Sequence, residues 1–293
     1  MELRTLRYLL AVADEGSITA AAAVVRVAQP SLSRQLRGLE RDLGLELFVR
    51  DGGRLRLSAA GRQFLPLARD LVVRADRARA VAGTIGSGRM QTVTIAAPGT
   101  TLTDVIAPFL ATFRDGDPMP DVWEELPDAV YQALDRGADL AIGTTAPPRR
   151  LEGMPIAQLP VWAYVPVTHP WGSRGDVPLS ELAEADLLVL TSDYHPRRAL
   201  DDAVARVGLT LRVLRELDSA EVAQAIAAAG RGVAVVSDDP RFGLRALRIS
   251  TADGDLTISL YAAWEPRHPG ASTISGLAGR LTSFCQERYS TGS

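Results

Sequence analysis

The chain has 293 residues, 46% of them hydrophobic, so two or three domains with buried cores fit within it. Its formal net charge of −3 excludes a uniformly basic protein, but the charge is unevenly distributed. Residues 1–90 contain 15 Arg and 9 acidic residues (+6), whereas residues 91–293 contain 17 Arg and 26 acidic residues (−9). This asymmetry favours an N-terminal end that faces a polyanion and a body that avoids it.

The scarce residue types exclude several kinds of chemistry. Cys285 is the single cysteine, which excludes an internal disulfide framework and indicates a reducing compartment; we interpret it as a buried structural thiol rather than a redox sensor. His169, His195 and His268 are not spaced as metal ligands, and no Gly-x-Ser-x-Gly sequence occurs. We therefore predict no metal site, no cofactor and no catalytic residues. Since no signal peptide or spanning segment is apparent, we expect a cytoplasmic protein.

Three short helices are predicted at the start of the chain. Gly16 and Ser17 separate a helix over residues 3–15 from a second over residues 18–25, because Gly permits the turn and Ser is a good N-cap. A third helix begins near Ala28, with a proline in its first turn. Its leucines recur on one face, and polar and Arg side chains occupy the opposite face. The buried positions are Leu32, Leu36, Leu39 and Leu43, and the outward ones are Gln29, Ser31, Arg34, Arg37 and Arg41.

A basic β-hairpin is predicted directly after these helices. Residues 48–50 and 54–57 form its strands around the turn Asp51-Gly52-Gly53, and Arg50, Arg54 and Arg56 lie on the strands. Amphipathic helices with outward Arg also occur in proteins that do not bind DNA. A basic wing beside a helix whose N-terminal end carries Gln, Ser and Arg favours a winged helix-turn-helix that reads base edges and phosphates.

This part of the chain resembles the LysR-type transcriptional regulators. Two departures are small: Ala28 stands where Ser or Thr often caps the helix, which weakens the cap by up to about 1 kcal/mol, and Ser58 stands where Thr is common. The matching residues are Gly16-Ser17, Ala21-Ala22, Gln29-Pro30-Ser31-Leu32-Ser33-Arg34-Gln35, Leu39-Glu40, Leu43-Gly44, Leu47-Phe48, Arg50, Leu57-Ser58 and Ala60-Gly61.

The resemblance implies that double-stranded promoter DNA is a partner, with RNA polymerase as a further candidate partner. We expect the DNA contacts to come from the second and third helices and from the wing. The candidate DNA-binding residues are Ser17, Thr19, Gln29, Pro30, Ser31, Ser33, Arg34, Arg37, Arg50 and Arg54.

A long helix is predicted from Ser58 to about Ile85, followed by a flexible hinge over residues 83–89. Its apolar residues trace a narrow seam that favours pairing with a second helix, although packing on its own domain is an alternative. In the resembled family this helix forms an antiparallel dimer contact, which would give two recognition helices and a palindromic site. The seam consists of Phe64, Leu67, Leu71, Ala75, Ala78, Ala82 and Ile85.

Alternating strands and helices after residue 92 predict an α/β domain. The chain leaves one α/β unit, builds a second and returns, so two subdomains enclose a ligand cleft, in a layout similar to periplasmic solute-binding proteins. The expected fold is α/β with an N-terminal all-α winged helix-turn-helix and a C-terminal periplasmic-binding-protein-like two-subdomain α/β effector domain. The expected domains are residues 1–60 (DNA-binding), 61–90 (linker, dimerisation helix and hinge) and 91–293 (effector-binding), the last with subdomain 1 at about 91–164 and 256–293 and subdomain 2 at about 165–255.

Two loops are expected to line the cleft. Residues 97–101 and 191–195 each join a strand to a helix N-terminus, where free N–H groups favour a small anionic effector such as a carboxylate. The Thr and Ser residues there are alternatively helix caps, and His195 is alternatively a solvent-exposed loop residue. The candidate effector-binding residues are Thr100, Thr101, Thr144, Ser192, His195 and Ser237.

Two pairs of adjacent acidic residues are not counted among the candidate site residues. Asp201-Asp202 and Asp238-Asp239 are assigned to solvated loops or caps, because adjacent side chains diverge. In the resembled family Pro usually follows the strand ending at residue 236, whereas this chain has Ser237-Asp238-Asp239-Pro240, so the cleft chemistry on that side is expected to be unusual.

The sequence thus predicts a ligand-responsive transcriptional regulator that binds promoter DNA as a homo-oligomer. Effector binding would close the cleft and shift the DNA-binding domains in a dimer of dimers, a homotetramer. The dimer remains an alternative to the tetramer. Two other functions stay open: a small-molecule sensor or binding protein whose N-terminal helices contact protein, and an enzyme that uses the cleft.

Overall fold

A computed structural model describes residues 1–51, 54–87 and 89–289. The chain divides into two compact units, Met1–Arg89 and Met90–Ser293, and each has its own hydrophobic core. The first unit joins the helix-turn-helix region and the long helix after it. Within the described part of the chain, no helix is both long and apolar enough to cross a membrane.

The first three helices begin and end where glycine and serine predict. Gly16 is left-handed (φ 62°) at the end of α1, and the Ser17 hydroxyl accepts a hydrogen bond from the Ala20 N–H (3.4 Å) at the start of α2. Ala28 precedes α3 without a side-chain cap, and Gly44 (φ 67°) ends that helix. The three helices are α1 (Leu3–Glu15), α2 (Ile18–Val24) and α3 (Gln29–Leu43).

The hairpin and the long helix complete the first unit. Strands β1 (Phe48–Asp51) and β2 (Arg54–Leu57) pair antiparallel, and the predicted turn at Gly52-Gly53 lies outside the described residues. Ser58 caps the next helix, α4 (Ala59–Ser87), by accepting a hydrogen bond from the Gly61 N–H (2.9 Å). Because α4 runs to Ser87, most of the segment expected to be a flexible hinge is helical instead.

The core of the first unit joins α1, α3 and α4. Ala68 and Val72 are buried apolar residues of α4, and they pack into the same cluster as α1. Leu32, Leu36 and Leu39 are buried along one stripe of α3, as the predicted period requires, whereas Leu43 at the end of the predicted stripe is only half-buried. The remaining core residues are Leu6, Leu9, Val12, Ala21, Ala22, Leu32, Leu36, Leu39 and Leu47.

The second unit contains two sheets. The first has the strand order β4-β3-β5-β14-β6, with β3 parallel to β4 and β5, and β14 antiparallel to β5 and β6. The helix after β3 contains a π-helical turn, a local widening that often occurs at functional sites. The elements of this half are β3 (Thr92–Ala97), α5 (Gly99–Thr101), the π-helix Leu102–Ile106, α6 (Ala107–Leu110), β4 (Met119–Glu124), the 3₁₀ helix Pro127–Ala129, α7 (Gln132–Arg136), β5 (Leu140–Gly143), β6 (Glu152–Pro160), β14 (Thr257–Trp264) and α11 (Ala271–Tyr289).

The second sheet has the order β10-β9-β11-β7-β12-β13, and β8 pairs with β12. Its central strands β9 and β11 are parallel and fully buried, which explains their uninterrupted apolar sequences. The elements of this half are β7 (Trp162–Val165), β8 (Asp176–Pro178), α8 (Leu179–Glu184), β9 (Leu187–Leu190), α9 (His195–Arg206), β10 (Val213–Leu217), α10 (Ala220–Ala228), β11 (Val233–Val236), β12 (Arg245–Thr251) and β13 (Gly254–Asp255).

The chain crosses between the sheets twice, after β6 and before β14. Because Trp162–Val165 pairs with β11 and β12, the first crossing lies near residue 161, slightly before the expected boundary at 164. Strands β8, β12 and β13 and helix α8 were not predicted from the sequence. These crossings create a two-subdomain α/β unit with a cleft between its sheets.

Candidate functional site

The outward face of α3 carries the polar residues expected to read DNA. Gln29, Pro30, Ser31, Arg34 and Arg37 are exposed, and Ser33 is half-buried. A broad open groove of about 870 Å³ runs along this face and continues to the loop after the helix. The groove is lined by Gln29, Pro30, Ser33, Arg34, Arg37, Glu40, Arg41, Gly44, Leu45 and Glu46.

Contacts along α3 position two arginines and join the helix to the wing. Arg37 Nη2 donates to Ser33 Oγ (2.9 Å), and Arg41 Nε donates to the Arg37 carbonyl (3.3 Å). Glu40 Oε1 accepts hydrogen bonds from the backbone N–H groups of Leu47 (2.9 Å) and Phe48 (3.3 Å). The Glu40 carboxylate therefore fixes the start of β1 against α3.

The other candidate DNA contacts have different environments. Thr19 is exposed on α2, whereas Ser17 is half-buried and its hydroxyl caps that helix. Arg50 lies on β1, where it is paired with Leu55, and Arg54 lies on β2, where it is paired with Asp51, but the two arginine side chains lie outside the described part of the structure.

The long helix α4 presents part of its predicted seam to solvent. Leu67 is 62% exposed and Leu71 is 40% exposed, although Ala68 and Val72 one residue later are buried against the unit's core. Ion pairs of Arg7 with Asp76 and of Arg69 with Asp14 hold α4 against α1. The helix therefore packs on its own unit with one face and leaves a second apolar face uncovered.

That second face also includes smaller residues. Ala78 and Ala82 are exposed, Phe64 and Ala75 are half-buried, and the Ile85 side chain lies outside the described residues. We call Leu67, Leu71, Ala78 and Ala82 the exposed seam.

Five of the six predicted effector residues line one cavity between the two sheets. This effector cleft is narrow, with about 40 Å³ available to the centres of water-sized molecules, and it contains Thr100, Thr101, Thr144, His195 and Ser237. Ser192 is exposed and does not line the cavity, because the chain turns outward before α9; its carbonyl instead accepts a hydrogen bond from Arg198 Nε (2.7 Å). The further lining residues are Pro98, Asp104, Val105, Pro127, Leu159, Leu190, Tyr194, Pro196, Ile258 and Tyr289.

His195 spans the cleft and keeps one nitrogen unpaired. Its Nδ1 shares a 2.6 Å hydrogen bond with Thr144 Oγ1 from the other subdomain, and its buried Nε2 has no hydrogen-bond partner among the described residues. Burial, assisted by the positive charge of Arg198, lowers the pKa of His195 and so favours the neutral ring. When Thr144 donates to Nδ1, the unpaired Nε2–H points to a missing acceptor.

A second set of contacts across the cleft was not anticipated from sequence. Asp104 Oδ2 accepts from the Asp239 N–H (3.1 Å), Asp104 Oδ1 accepts from Arg241 Nη2 (3.1 Å), and Arg288 Nη2 donates to Asp239 Oδ2 (2.5 Å). The buried Gln224 holds the same loop, since it donates to the Asp239 carbonyl and accepts from the Arg241 N–H. Together these bonds join the two subdomains behind the cleft.

The prediction that the Asp238-Asp239 pair is solvated is wrong for Asp238, which is buried. Its residue surface is only 6% exposed, and Oδ2 has no hydrogen-bond partner among the described residues. Burial raises the pKa of Asp238 to about 7, and the nearby Asp104 carboxylate adds to this effect. The fold buries Asp238 because the loop after β11 turns inward, with the Tyr164 hydroxyl donating to the Asp238 carbonyl (2.6 Å).

The cysteine and the other two histidines are buried or hydrogen-bonded within the fold. Cys285 is inaccessible, and burial raises the pKa of its thiol to about 11, as a structural thiol requires. His268 Nε2 bonds Asp139 Oδ1 (3.0 Å) while its Nδ1 accepts from the Gly270 N–H (3.0 Å). His169 Nδ1 accepts from the Trp171 N–H (3.1 Å) in a turn. Among the described residues, no group of three or more His, Cys, Asp or Glu is arranged to hold a metal ion.

Comparison with known proteins relates both units to one family. The family model described as LysR substrate binding domain matches residues 86–286, and that described as bacterial regulatory helix-turn-helix protein, lysR family, matches residues 3–62. The uncharacterised HTH-type transcriptional regulator YnfL of Escherichia coli (strain K12) is 29% identical over 288 residues, covering 92% of this chain and 93% of YnfL. The HTH-type transcriptional regulator XapR of the same strain is 28% identical over 242 residues, covering 81% of this chain and 82% of XapR.

A solved structure shows the same fold. The crystal structure of full-length CbnR complexed with its target DNA has a TM-score of 0.76 at 22% sequence identity, covering 96% of this chain and 100% of the CbnR chain. The two family models account for both units and make the protein a DNA-binding transcriptional regulator with an effector-binding domain rather than an enzyme. The chain therefore belongs to the LysR family of bacterial helix-turn-helix transcriptional regulators.

Proposed function

We propose that this regulator recognises a specific promoter sequence through α3 and contacts the flanking phosphates through its wing. The exposed polar face of α3, opposite the buried side chains of Leu32, Leu36 and Leu39, is the observation that carries the proposal. Gln29, Ser31 and Arg34 stand at the N-terminal end of the helix, where side chains of a recognition helix meet base edges. Arg50 and Arg54 would add sequence-independent affinity. The candidate contacts are those expected from sequence, with Ser17 acting also as a cap.

A gel-shift titration on DNA from beside the protein's own gene tests this proposal. Arg34→Ala should weaken specific binding by about 1 to 3 kcal/mol, and Arg50→Ala or Arg54→Ala should mainly reduce the dependence of affinity on salt. Arg245→Ala is the matched control, because Arg245 is exposed in the other unit. Equal affinities of the wild type and Arg34→Ala would remove Arg34 from the recognition surface.

We further propose that the protein assembles as a homodimer through the exposed seam of α4, and that two dimers form a tetramer. Leu67 and Leu71 expose apolar surface on a face that the unit's own core leaves uncovered, which supports a helix-to-helix contact. A twofold partner would present two recognition helices to a palindromic site. Sedimentation analysis of Leu67→Glu/Leu71→Glu should give a smaller species, whereas Val24→Glu, also at an exposed position, should not change the assembly.

The proposed input is a small effector with a hydrogen-bond-accepting or anionic group, bound in the effector cleft. The unpaired Nε2 of His195, the hydroxyls of Thr100 and Thr101, and the helix that starts at Gly99 supply donors on both sides of the cavity. Binding would alter the closure of the two subdomains and thereby the arrangement of the DNA-binding units, acting on transcription by RNA polymerase in the cytoplasm.

Thermal-shift measurements with a panel of small carboxylates test the cleft. Thr100→Val and His195→Ala should abolish the stabilisation produced by any compound that binds, while Ser192→Ala should retain it because Ser192 is exposed outside the cavity. Stabilisation that survives both cleft substitutions would move the effector site elsewhere.

A further inference from the structure

A second cavity opens beside the effector cleft and is richer in carboxylates. This vestibule has about 280 Å³ available to the centres of water-sized molecules. It shares Pro98, Thr100, Pro127, Leu190 and Tyr194 with the effector cleft, so the two spaces meet along one wall. The cleft offers hydroxyl and imidazole groups together with one carboxylate, that of Asp104, whereas five described carboxylates and one guanidinium line the vestibule. They belong to Glu124, Glu125, Asp218, Glu221, Asp238 and Arg241.

Some of these carboxylates have a structural explanation. Glu125 pairs with Arg136 (2.5 Å). Asp218 and Glu221 flank the start of α10, where acidic side chains stabilise the helix dipole. These three groups do not by themselves indicate a ligand.

Asp238 has no such explanation. It is 94% buried, it lines the vestibule, and its Oδ2 accepts no hydrogen bond from any described residue. An unpaired buried acceptor is costly, and a charged donor that reached it would be correspondingly favoured. Arg241, the cation nearest in sequence, donates from Nη2 to Asp104 and has a buried Nε with no partner among the described residues, and no hydrogen bond among those residues joins it to Asp238. Glu124, exposed at the end of β4 on the opposite wall, supplies a second carboxylate facing the same space.

We propose that the vestibule binds the ammonium group of the effector, with Asp238 as the principal acceptor and Glu124 as a second. This inference rests on the proposed effector cleft, and it names the effector class: an amino-carboxylate whose acidic end meets His195 and Thr100 while its amino end enters the vestibule. Thr100 and Tyr194 line both spaces, so a molecule that bridges them passes along this shared wall. Charge complementarity selects against a plain dicarboxylate, since its second carboxylate would face Asp238 and Glu124.

The pH dependence of binding should follow from the groups around Asp238. Its carboxyl faces the carboxylates of Asp104 and Asp239 and the guanidinium of Arg241, and burial raises the pKa of Asp238 to about 7. An ammonium group prefers the ionised carboxylate, so its affinity should increase as pH rises from 6 to 8.

The experiment compares three compounds that share a four-carbon chain: 4-aminobutyrate, butyrate and butylamine. Thermal-shift and calorimetric titrations of the full-length protein, at constant ionic strength, measure saturable binding of each. We expect 4-aminobutyrate to bind more tightly than butyrate. Asp238→Asn should weaken the binding of 4-aminobutyrate and of butylamine by about tenfold or more, while the affinity for butyrate stays unchanged. Asp253→Asn, which removes an exposed carboxylate outside the vestibule, should behave as the wild type and so corrects for non-specific attraction to an acidic surface.

Each other outcome is decisive. Butyrate binding as tightly as 4-aminobutyrate, with no effect of Asp238→Asn, would overturn the ammonium subsite but leave the effector cleft intact, which His195→Ala then tests. Butylamine binding that Asp238→Asn and Asp253→Asn reduce equally would also overturn it, because the attraction would be non-specific. No saturable binding of either amine would overturn it as well, while the gel shift of the promoter complex independently tests regulation.

Discussion

Replacing Asp238 by Asn should change how the stability of the protein depends on pH. The pKa of this buried carboxyl is raised from 3.8 to about 7, mainly by burial and then by the Asp104 carboxylate. Because the folded pKa lies above the unfolded pKa, the folded chain holds a proton that the unfolded chain has already released. The stability that this proton confers is therefore complete below about pH 4 and is lost as pH rises to about 7.

The size of the change in stability follows from the same pKa shift of Asp238. At about 1.36 kcal/mol per pKa unit, raising the pKa from 3.8 to about 7 corresponds to a loss of up to about 4 kcal/mol across that range. Asn cannot titrate, so the free energy of unfolding of Asp238→Asn, relative to the wild type, should increase by up to this amount between pH 4.5 and 8. The pKa of Asp104 is also raised by burial, so part of the wild-type loss belongs to that neighbour and remains in the variant.

Urea unfolding followed by tryptophan fluorescence, at half-unit pH steps and constant ionic strength, measures this difference. The slope with pH is the informative quantity, because the Asn amide also changes hydrogen bonding by an amount that does not vary with pH. Asp253→Asn removes an exposed carboxylate and should run parallel to the wild type. Parallel profiles for the wild type and Asp238→Asn would refute the reasoning.

Three other substitutions test the local structure, each by denaturant unfolding. Leu36→Ala should cost about 2 to 5 kcal/mol, because Leu36 is 4% exposed in the core beneath the recognition helix; a loss below 1 kcal/mol would contradict that packing. Gly44→Ala should cost about 1 to 2 kcal/mol, since Gly44 has φ 67° at the end of α3, and an unchanged stability would argue against the left-handed cap. Ser219→Ala should cost about 1 kcal/mol by removing the acceptor for the Val222 N–H, whereas Ser219→Thr should largely preserve it; equal losses would exclude capping.

Periodicity and capping residues predicted the first unit closely. Gly16, Ser17 and the leucines of α3 are local signals, and local hydrogen bonds decide where such helices begin and end. The end of α4 was placed too early because Gly83 and Gly86 favour a break, yet the helix continues through both. The predicted seam did not include Ala68 and Val72, the residues through which α4 packs on its own unit, since their burial depends on contact with α1, which spacing along one helix does not reveal.

Non-local pairing explains most of what the sequence did not reveal in the second unit. β12 does alternate, with Leu247 and Ile249 inward, but its partners β7 and β8 lie far away in sequence. In the cleft, Thr and Ser beside helix starts were predictable as lining groups. Asp104 and Asp238 were not predictable as lining residues, because acidic side chains are ordinarily solvated. Their burial depends on the packing of the loop after β11, which the sequence does not show.

The two hydrogen bonds that Glu40 accepts from Leu47 and Phe48 have a consequence for the operator. These hydrogen bonds hold α3 and the first wing strand, β1, together as one rigid piece. The distance between the bases contacted by α3 and the phosphates beneath the wing is therefore set by the protein and not by the DNA. Variation among natural operators should therefore be confined to the spacing between half-sites, while the width of each half-site stays constant.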